Sequence, residues 1–257
     1  MARKMTARRT TRKEQQQENK AFQNNQAAIM DGPQRKKWSK HDIASIQPKT
    51  PNQQIMFEQY DLEKHIIATG SPGVGKSFLG LYLALCDIVN PDFPQDHIKI
   101  VRSAVASREI GHLPGTAEEK LAEYESPYVD ILAELCGSPK TYENMKAAKV
   151  IEFVSTSFIR GATWDNTIVF VDEAQNMTWH ELNSVITRLG VNSRLIIAGD
   201  TNQCDLNKRK EQTGFDQVIR VASNIRDFAI ITFKPEDCVR SEFVRNWLHA
   251  CERLDLI

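Results

Sequence analysis

The segment Gly70–Ser77 constrains the fold of this 257-residue chain more than any other feature. It fits the pattern G-x-x-x-x-G-K-[ST], with a β-branched run, His65–Thr69, before it and an apolar helical pattern, Ser77–Val89, after it. A glycine-rich turn between a strand and a helix points backbone N–H groups at phosphate oxygens. In such a loop Lys76 is expected to reach the β- and γ-phosphates of a nucleotide, and Ser77 to ligate Mg²⁺. The predicted loop residues are Gly70, Ser71, Pro72, Gly73, Val74, Gly75, Lys76 and Ser77.

A phosphate loop of this kind calls for a carboxylate at the end of another apolar strand. The run Thr167–Val171 is followed directly by Asp172 and Glu173. Asp172 is expected to hold Mg²⁺ indirectly, through a direct ligand of the ion or through a water molecule. Glu173 is expected to polarise the attacking water. The alternative is that the two acids start a loop and charge the N-terminal end of the next helix. The adjacent acids favour hydrolysis, since a protein that only binds nucleotide needs the metal-holding aspartate alone.

A third element, Gly199–Gln203, follows the apolar run Arg194–Ala198. It is expected at the same carboxyl edge of the sheet, where open α/β folds bind ligands. There Gln203 could hydrogen-bond the γ-phosphate or the attacking water. As an isolated pentapeptide the segment would be an ordinary turn, so its significance comes from its place after the other two motifs.

Apolar strands alternate with helical patterns along the body of the chain, which indicates an α/β fold with a parallel sheet. Two helices are predicted at Thr116–Glu125 and Tyr128–Leu135, separated by Pro127. Thr178 and Glu181 predict a capping box at the start of a further helix. The predicted strands are His65–Thr69, Ile98–Val101, Val150–Val154, Thr167–Val171, Arg194–Ala198 and Phe228–Thr232.

The N-terminal 40 residues differ sharply from the rest. They contain eleven basic and three acidic residues, and nine Gln or Asn, whereas the whole chain carries no net charge. With almost no aliphatic periodicity, this segment cannot bury enough surface to offset chain entropy. We predict a basic disordered arm at 1–40 and a globular domain at 41–257. The arm could contact nucleic-acid phosphates, serve as a solubilising tail, or fold back on the acidic body.

No apolar run approaches the ~18 residues that span a bilayer, and the basic start lacks the apolar block of a signal peptide. We therefore expect no membrane association and a cytoplasmic location. Five scattered cysteines without a C-x-x-C pair indicate reduced thiols and no zinc site. They are Cys86, Cys136, Cys204, Cys238 and Cys251.

The order of these motifs resembles that of the PhoH family, whose core is similar to the first motor domain of superfamily 1 helicases. The resemblance implies a P-loop NTPase fold of the RecA-like type, with a mostly parallel sheet and helices on both faces. It covers about residues 48 to 245, nearly the whole body of the chain. Besides the three motifs above, the matching segments are Pro48–Gln53, Leu113–Gly115 with Glu118–Lys120, Arg160–Thr163, Thr187–Gly190 and Val239–Arg240.

The resemblance implies ATP and Mg²⁺ as ligands, and ATP hydrolysis. In similar helicases a glutamine upstream of the phosphate loop recognises the adenine base, and the resemblance assigns that role to Gln53. An arginine near the end of the core contacts the γ-phosphate, and that role falls on Arg240. Such an arginine is needed because charge develops on the transferred phosphoryl group. Arg188 is a rival candidate, and a salt bridge to a nearby acid is the structural alternative for Arg240.

Only 17 residues follow Arg240, so a second motor domain is not expected after it. Either the arginine acts within its own chain, or a neighbouring subunit completes the site. On this argument we expect a homo-oligomer, a hexameric ring in which heterologous contacts close.

Two classes of function remain open. One is a helicase-like ATPase stimulated by single-stranded RNA or DNA, with phosphate contacts from the basic arm, Arg102 and Arg108. The other is a nucleotide-state switch that acts on a protein partner. A small-molecule kinase is less favoured, since it needs neither Glu173 beside Asp172 nor the Gly199–Gln203 element. A nuclease would require an added domain with clustered acids.

Overall fold

Six parallel strands form one sheet in the order β3-β2-β4-β5-β1-β6. The computed structural model describes residues 38–103, 117–156, 159, 161, 163–200 and 214–254, with backbone alone at 117–121. Each predicted strand is confirmed to within one residue at either end, and so is the parallel α/β sheet. The strands are β1 (His65–Gly70), β2 (His97–Arg102), β3 (Ile151–Ser155), β4 (Thr167–Val171), β5 (Arg194–Ala198) and β6 (Phe228–Phe233).

Seven α-helices lie in the described residues, together with 3₁₀ turns at Lys40–Asp42, Ala174–Asn176 and Pro235–Asp237. In this part of the chain, no helix has both the length and the apolar character needed to cross a membrane. The helices are α1 (Pro51–Asp61), α2 (Lys76–Ile88), α3 (Ala117–Cys136), α4 (Thr141–Ala147), α5 (Trp179–Ile186), α6 (Phe215–Ala222) and α7 (Glu242–Arg253).

The predicted break at Pro127 is wrong, because α3 continues through it as a single helix. A proline inside a helix removes one backbone hydrogen bond and costs about 3 kcal/mol. Three large side chains after the proline, Tyr128, Leu132 and Leu135, are at most 1% exposed. Burying a side chain of this kind contributes about 1.5–3 kcal/mol. Their burial outweighs the defect, so the helix stays intact.

Helices cover both faces of the sheet, as predicted. Successive residues of β4 point to opposite faces, so that Ile168 and Phe170 lie in one apolar core and Val169 and Val171 in the other. Side chains from α1, α2, α3, α4 and α7 fill the first core. Side chains from α5 and α6 fill the second, and the predicted capping box of Thr178 and Glu181 starts α5.

The sheet order places three motifs side by side. Strands β4, β5 and β1 are consecutive neighbours in the middle of the sheet, and all three run in the same direction. Their carboxyl ends therefore meet at one edge. Asp172 directly follows β4, Gly199 follows β5, and the segment Gly70–Ser77 follows from the end of β1 into α2. The topology alone brings together residues that are up to about 130 positions apart in sequence.

Candidate active site

The turn from β1 to α2 has the backbone of a phosphate-binding loop. Gly70, Gly73 and Gly75 have positive φ angles of 105°, 72° and 89°. Gly70 also lies so close to β6 that a Cβ there would come within 1.9 Å of the carbonyl oxygen of Phe233. Glycine is therefore required at this position for two independent reasons.

Lys76 begins α2 and folds back over the loop. Its ammonium group donates hydrogen bonds to the carbonyl oxygens of Gly70 and Ser71, both at 2.7 Å. Burial lowers the pKa of Lys76, and the negative charges of Asp200, Glu173 and Asp172 act in the opposite direction. The ammonium group thus lies within the field of three carboxylates from two different strand ends.

Ser77 and Asp172 provide the oxygen donors that a magnesium ion prefers. The Ser77 hydroxyl donates to Oδ1 of Asp172 at 2.8 Å, and the Tyr128 hydroxyl donates to Oδ2 at 3.1 Å. Burial raises the pKa of Asp172, and the charge of Glu173 raises it further, while the two hydrogen bonds and the positive charge of Arg102 lower it. A hydroxyl and a carboxylate at hydrogen-bond distance fit a hard divalent cation.

Glu173 adopts a left-handed backbone conformation, with φ 53° and ψ 42°. This conformation costs a non-glycine residue about 1–2 kcal/mol, and such outliers cluster at functional sites. Gln175 fixes the Glu173 side chain by donating from Nε2 to Oε2 at 2.6 Å. The amide oxygen of Gln175 accepts from the backbone N–H of Asp200 at 3.0 Å. Gln175 therefore ties the end of β4 to the end of β5. The sequence analysis does not identify this role, although Gln175 lies only two residues after Glu173.

A cavity of about 460 Å³ opens over these residues. Three positively charged side chains, Lys76, Arg102 and Arg240, line it together with several carboxylates. Arg102 is the last residue of β2, and its guanidinium carbon lies 5.7 Å from the centre of the Tyr124 ring. The lining residues are Pro72, Gly73, Gly75, Lys76, Ser77, Phe78, Arg102, Pro127, Asp130, Ile131, Glu134, Asp172, Glu173, Gln175, Gly199, Asp200 and Arg240.

The two candidate arginines lie at opposite ends of the sheet. Arg240 lines the cavity, whereas Arg188 does not. The carbonyl oxygen of Arg188 accepts a hydrogen bond from the N–H of Trp164, three residues before β4 begins. Asp172 directly follows the other end of β4. The length of strand β4 therefore separates the backbone of Arg188 from Asp172 and Glu173 of the same chain.

Gln53 lies on α1 outside the residues that line the cavity. It is 3% exposed, and its Oε1 accepts from the backbone N–H of Lys49 at 2.8 Å. The neighbouring Asn52 donates to Oδ2 of Asp237 at 2.7 Å, so the start of α1 contacts the turn that precedes Arg240. The role of Gln53 in reading adenine stays a prediction.

Several predicted elements lie outside the described residues. They are Gln203, Arg108, Arg160, Cys204, the Leu113–Gly115 loop and residues 1–37, and nothing is described of the side chains of Glu118–Lys120.

The family model described as PhoH-like protein matches residues 45–252, a range that contains every residue lining the cavity. The chain belongs to the PhoH family. The protein PhoH of Escherichia coli K12 is 31% identical over 211 residues, which are 81% of this chain and 59% of that protein. The PhoH-like protein of Bacillus subtilis 168 is 31% identical over 213 residues, covering 81% of this chain and 65% of the relative. This PhoH-family chain thus spans about three fifths of the length of these relatives.

Among solved structures, the large terminase of a thermophilic bacteriophage aligns with a TM-score of 0.47 and 13% identity. The alignment covers 78% of this PhoH-family chain and 50% of the terminase chain.

Proposed function

We propose that this PhoH-family chain binds ATP with Mg²⁺ in the cavity and hydrolyses it. The observation that carries the proposal is the meeting of Lys76, Ser77, Asp172 and Glu173 at one sheet edge, with Ser77 and Asp172 joined at 2.8 Å. A protein that only needed to hold phosphate would require the loop but not the pair of acids on the neighbouring strand.

Each side chain has a distinct task in this reaction. The backbone N–H groups of the loop and the Lys76 ammonium group bind the phosphate oxygens. Ser77 and Asp172 would hold Mg²⁺, which neutralises the charge of the β- and γ-phosphates when bound. Glu173 accepts a proton from the attacking water, and Gln175 holds its carboxylate toward the end of β5. Arg240 neutralises charge that develops on the phosphoryl group.

We further propose that single-stranded RNA or DNA stimulates the hydrolysis. Two features support this proposal: the concentration of basic residues in the N-terminal 40 residues, and the position of Arg102 in the cavity lining beside Tyr124. Catalysis by Arg240 does not require the proposed hexameric ring, because this arginine lines the cavity of its own chain.

The test is phosphate release from ATP by the full chain with Mg²⁺, alone and with single-stranded RNA or DNA. Lys76→Ala serves as the inactive control, since it removes a direct phosphate contact. Turnover that rises several-fold with polynucleotide and disappears in Lys76→Ala supports the full proposal. A turnover that does not change when polynucleotide is added would favour the nucleotide-state switch. A wild-type chain that neither binds ATP nor releases phosphate would refute the proposal. The mass of the ATP-bound species in solution tests the proposed hexameric ring.

A further inference from the structure

Tyr128 reaches the Asp172 carboxylate from a fixed position. Its side chain has no exposed surface. The ring centroid lies 6.0 Å from that of Phe153 and 6.5 Å, edge-on, from that of Phe170. Phe170 precedes Asp172 by two residues on β4, so the strand that carries the carboxylate also holds the ring that contacts it. The 3.1 Å hydrogen bond therefore joins two well-packed groups.

The two oxygens of Asp172 are bound from two different helices. Ser77 of α2 donates to Oδ1, and Tyr128 of α3 donates to Oδ2. Both donors are hydroxyl groups, so each oxygen of the carboxylate accepts one hydrogen bond. Rotation of the Asp172 carboxylate would break both hydrogen bonds. Each broken hydrogen bond would leave a buried charged oxygen without its donor.

We propose that Tyr128 is a positioning residue that orients Asp172 for Mg²⁺, so that α3 sets the affinity of the site for the ion. The inference rests on the proposed function, because it concerns the same cavity. Tyr128 does not line the cavity, and it acts through Asp172 alone. One turn earlier on α3, Tyr124 lies beside Arg102 at the end of β2, so a shift of this helix would affect both the Asp172 carboxylate and the cavity lining at Arg102.

The test uses Tyr128→Phe, which keeps the buried ring and removes the donor. The affinity of the full chain for a fluorescent ATP analogue is measured in EDTA and over a titration of Mg²⁺. We expect an unchanged affinity in EDTA and a Mg²⁺ midpoint about tenfold higher than in the wild type, as for the loss of a hydrogen bond to a charged group. The EDTA affinity and thermal unfolding show that the variant is folded.

Tyr142→Phe is the matched control. Tyr142 is also fully buried, and its hydroxyl donates to a carboxylate, Oε2 of Glu125, at 2.7 Å, but neither residue lines the cavity. We expect this variant to keep the wild-type Mg²⁺ midpoint. In the background of Asp172→Asn, adding Tyr128→Phe should cause no further shift, because the group that it positions has already been changed.

A wild-type Mg²⁺ midpoint in Tyr128→Phe, or an equal shift in Tyr142→Phe, would overturn the role of Tyr128 while leaving ATP hydrolysis intact. A wild-type chain that binds the nucleotide with Mg²⁺ but releases no phosphate would refute hydrolysis, and the titration would still decide on Tyr128. A nucleotide affinity of the wild type that does not respond to Mg²⁺ would overturn the inference.

Discussion

Arg240 lies against Gly73 of the phosphate loop: its Cδ and Nε are each 3.7 Å from the position that a Cβ on Gly73 would occupy. The contact joins the segment between β6 and α7 to the β1–α2 loop. Cys238, two residues earlier, strengthens the link, because its Sγ lies 3.9 Å from the Gly73 carbonyl oxygen. A side chain held in this way can reach a phosphate bound in the same chain.

Arg240→Ala should lower the rate of ATP hydrolysis by about 10³-fold or more, because the charge on the transferred phosphoryl group loses its partner. Arg188→Ala should leave the rate of ATP hydrolysis within its own chain unchanged, because Arg188 lies at the other end of the sheet. The measurement is phosphate release at saturating ATP.

Arg245→Ala, on the exposed surface of α7, is the control for removal of a nearby positive charge. The opposite pattern, with Arg188→Ala inactive and Arg240→Ala active, would make Arg188 the catalytic arginine. Restoration of activity by mixing Arg188→Ala with Lys76→Ala chains would then show that it acts on a neighbouring subunit.

Gly80 packs α2 directly onto the sheet. A Cβ at this position would lie 2.7 Å from Cε2 of Phe170 and 3.3 Å from Cγ2 of Ile196. Gly80→Ala gains about 1 kcal/mol of helix propensity but overpacks a rigid core, which costs about 1–3 kcal/mol. The two effects together predict a decrease of up to about 2 kcal/mol in the free energy of unfolding, measured by urea denaturation.

Shortening the opposing side chain tests this explanation. In the Gly80→Ala background, Phe170→Leu should cost less than it does in the wild-type chain, because it also relieves the clash. Additive costs of the two substitutions would show that the ring of Phe170 is not what the alanine meets.

His65 on β1 makes stability depend on pH. Its Nδ1 accepts a hydrogen bond from the backbone N–H of Leu195 at 3.2 Å. Burial lowers the pKa of His65 below 6.5, and the charge of Arg194 lowers it further, against the opposing charge of Asp227. As the pH falls below 6.5, the unfolded chain takes up the proton first. The contribution of His65 is thus present above pH 6.5 and is lost as the pH falls toward the folded-state pKa.

We expect the free energy of unfolding to fall less steeply between about pH 7 and pH 5.5 in His65→Gln than in the wild type. Urea denaturation at both pH values measures the difference. His41→Gln, in the exposed turn Lys40–Asp42, should follow the wild-type curve. A wild-type slope in His65→Gln would assign the pH dependence to other groups.

The central sheet and the core of the site follow from local sequence signals. The short length of the apolar runs and the turn residues around them favour strands buried on both faces, as for β4 and β5, and glycine spacing defines the β1–α2 loop. Helices α1 and α4 have no comparable local signal. Helix α1 buries only Gln53, Met56 and Tyr60, and α4 has seven residues, so neither presents a long apolar pattern.

The contacts that complete the site depend on tertiary packing. Nothing in the local sequence pairs Tyr128 with Asp172, because 44 positions separate them and only the buried placement of α3 brings them together. The bridge from Gln175 to the backbone of Asp200 arises in the same way, from the adjacency of β4 and β5. For the same reason the local sequence predicts a helix boundary at Pro127, because the packing that keeps α3 intact is not local.

The proposed hydrolysis of ATP depends most on Glu173, the residue that activates water. The most direct measurement compares ATP affinity and phosphate release in the wild type, Glu173→Gln and Glu134→Gln. Glu134 is the matched control, since it also lines the cavity but lies on α3. We predict that Glu173→Gln binds ATP with Mg²⁺ normally and releases phosphate about 10²–10⁴-fold more slowly, while Glu134→Gln keeps most of its activity. Normal turnover in Glu173→Gln, or an equal loss in both variants, would contradict the account.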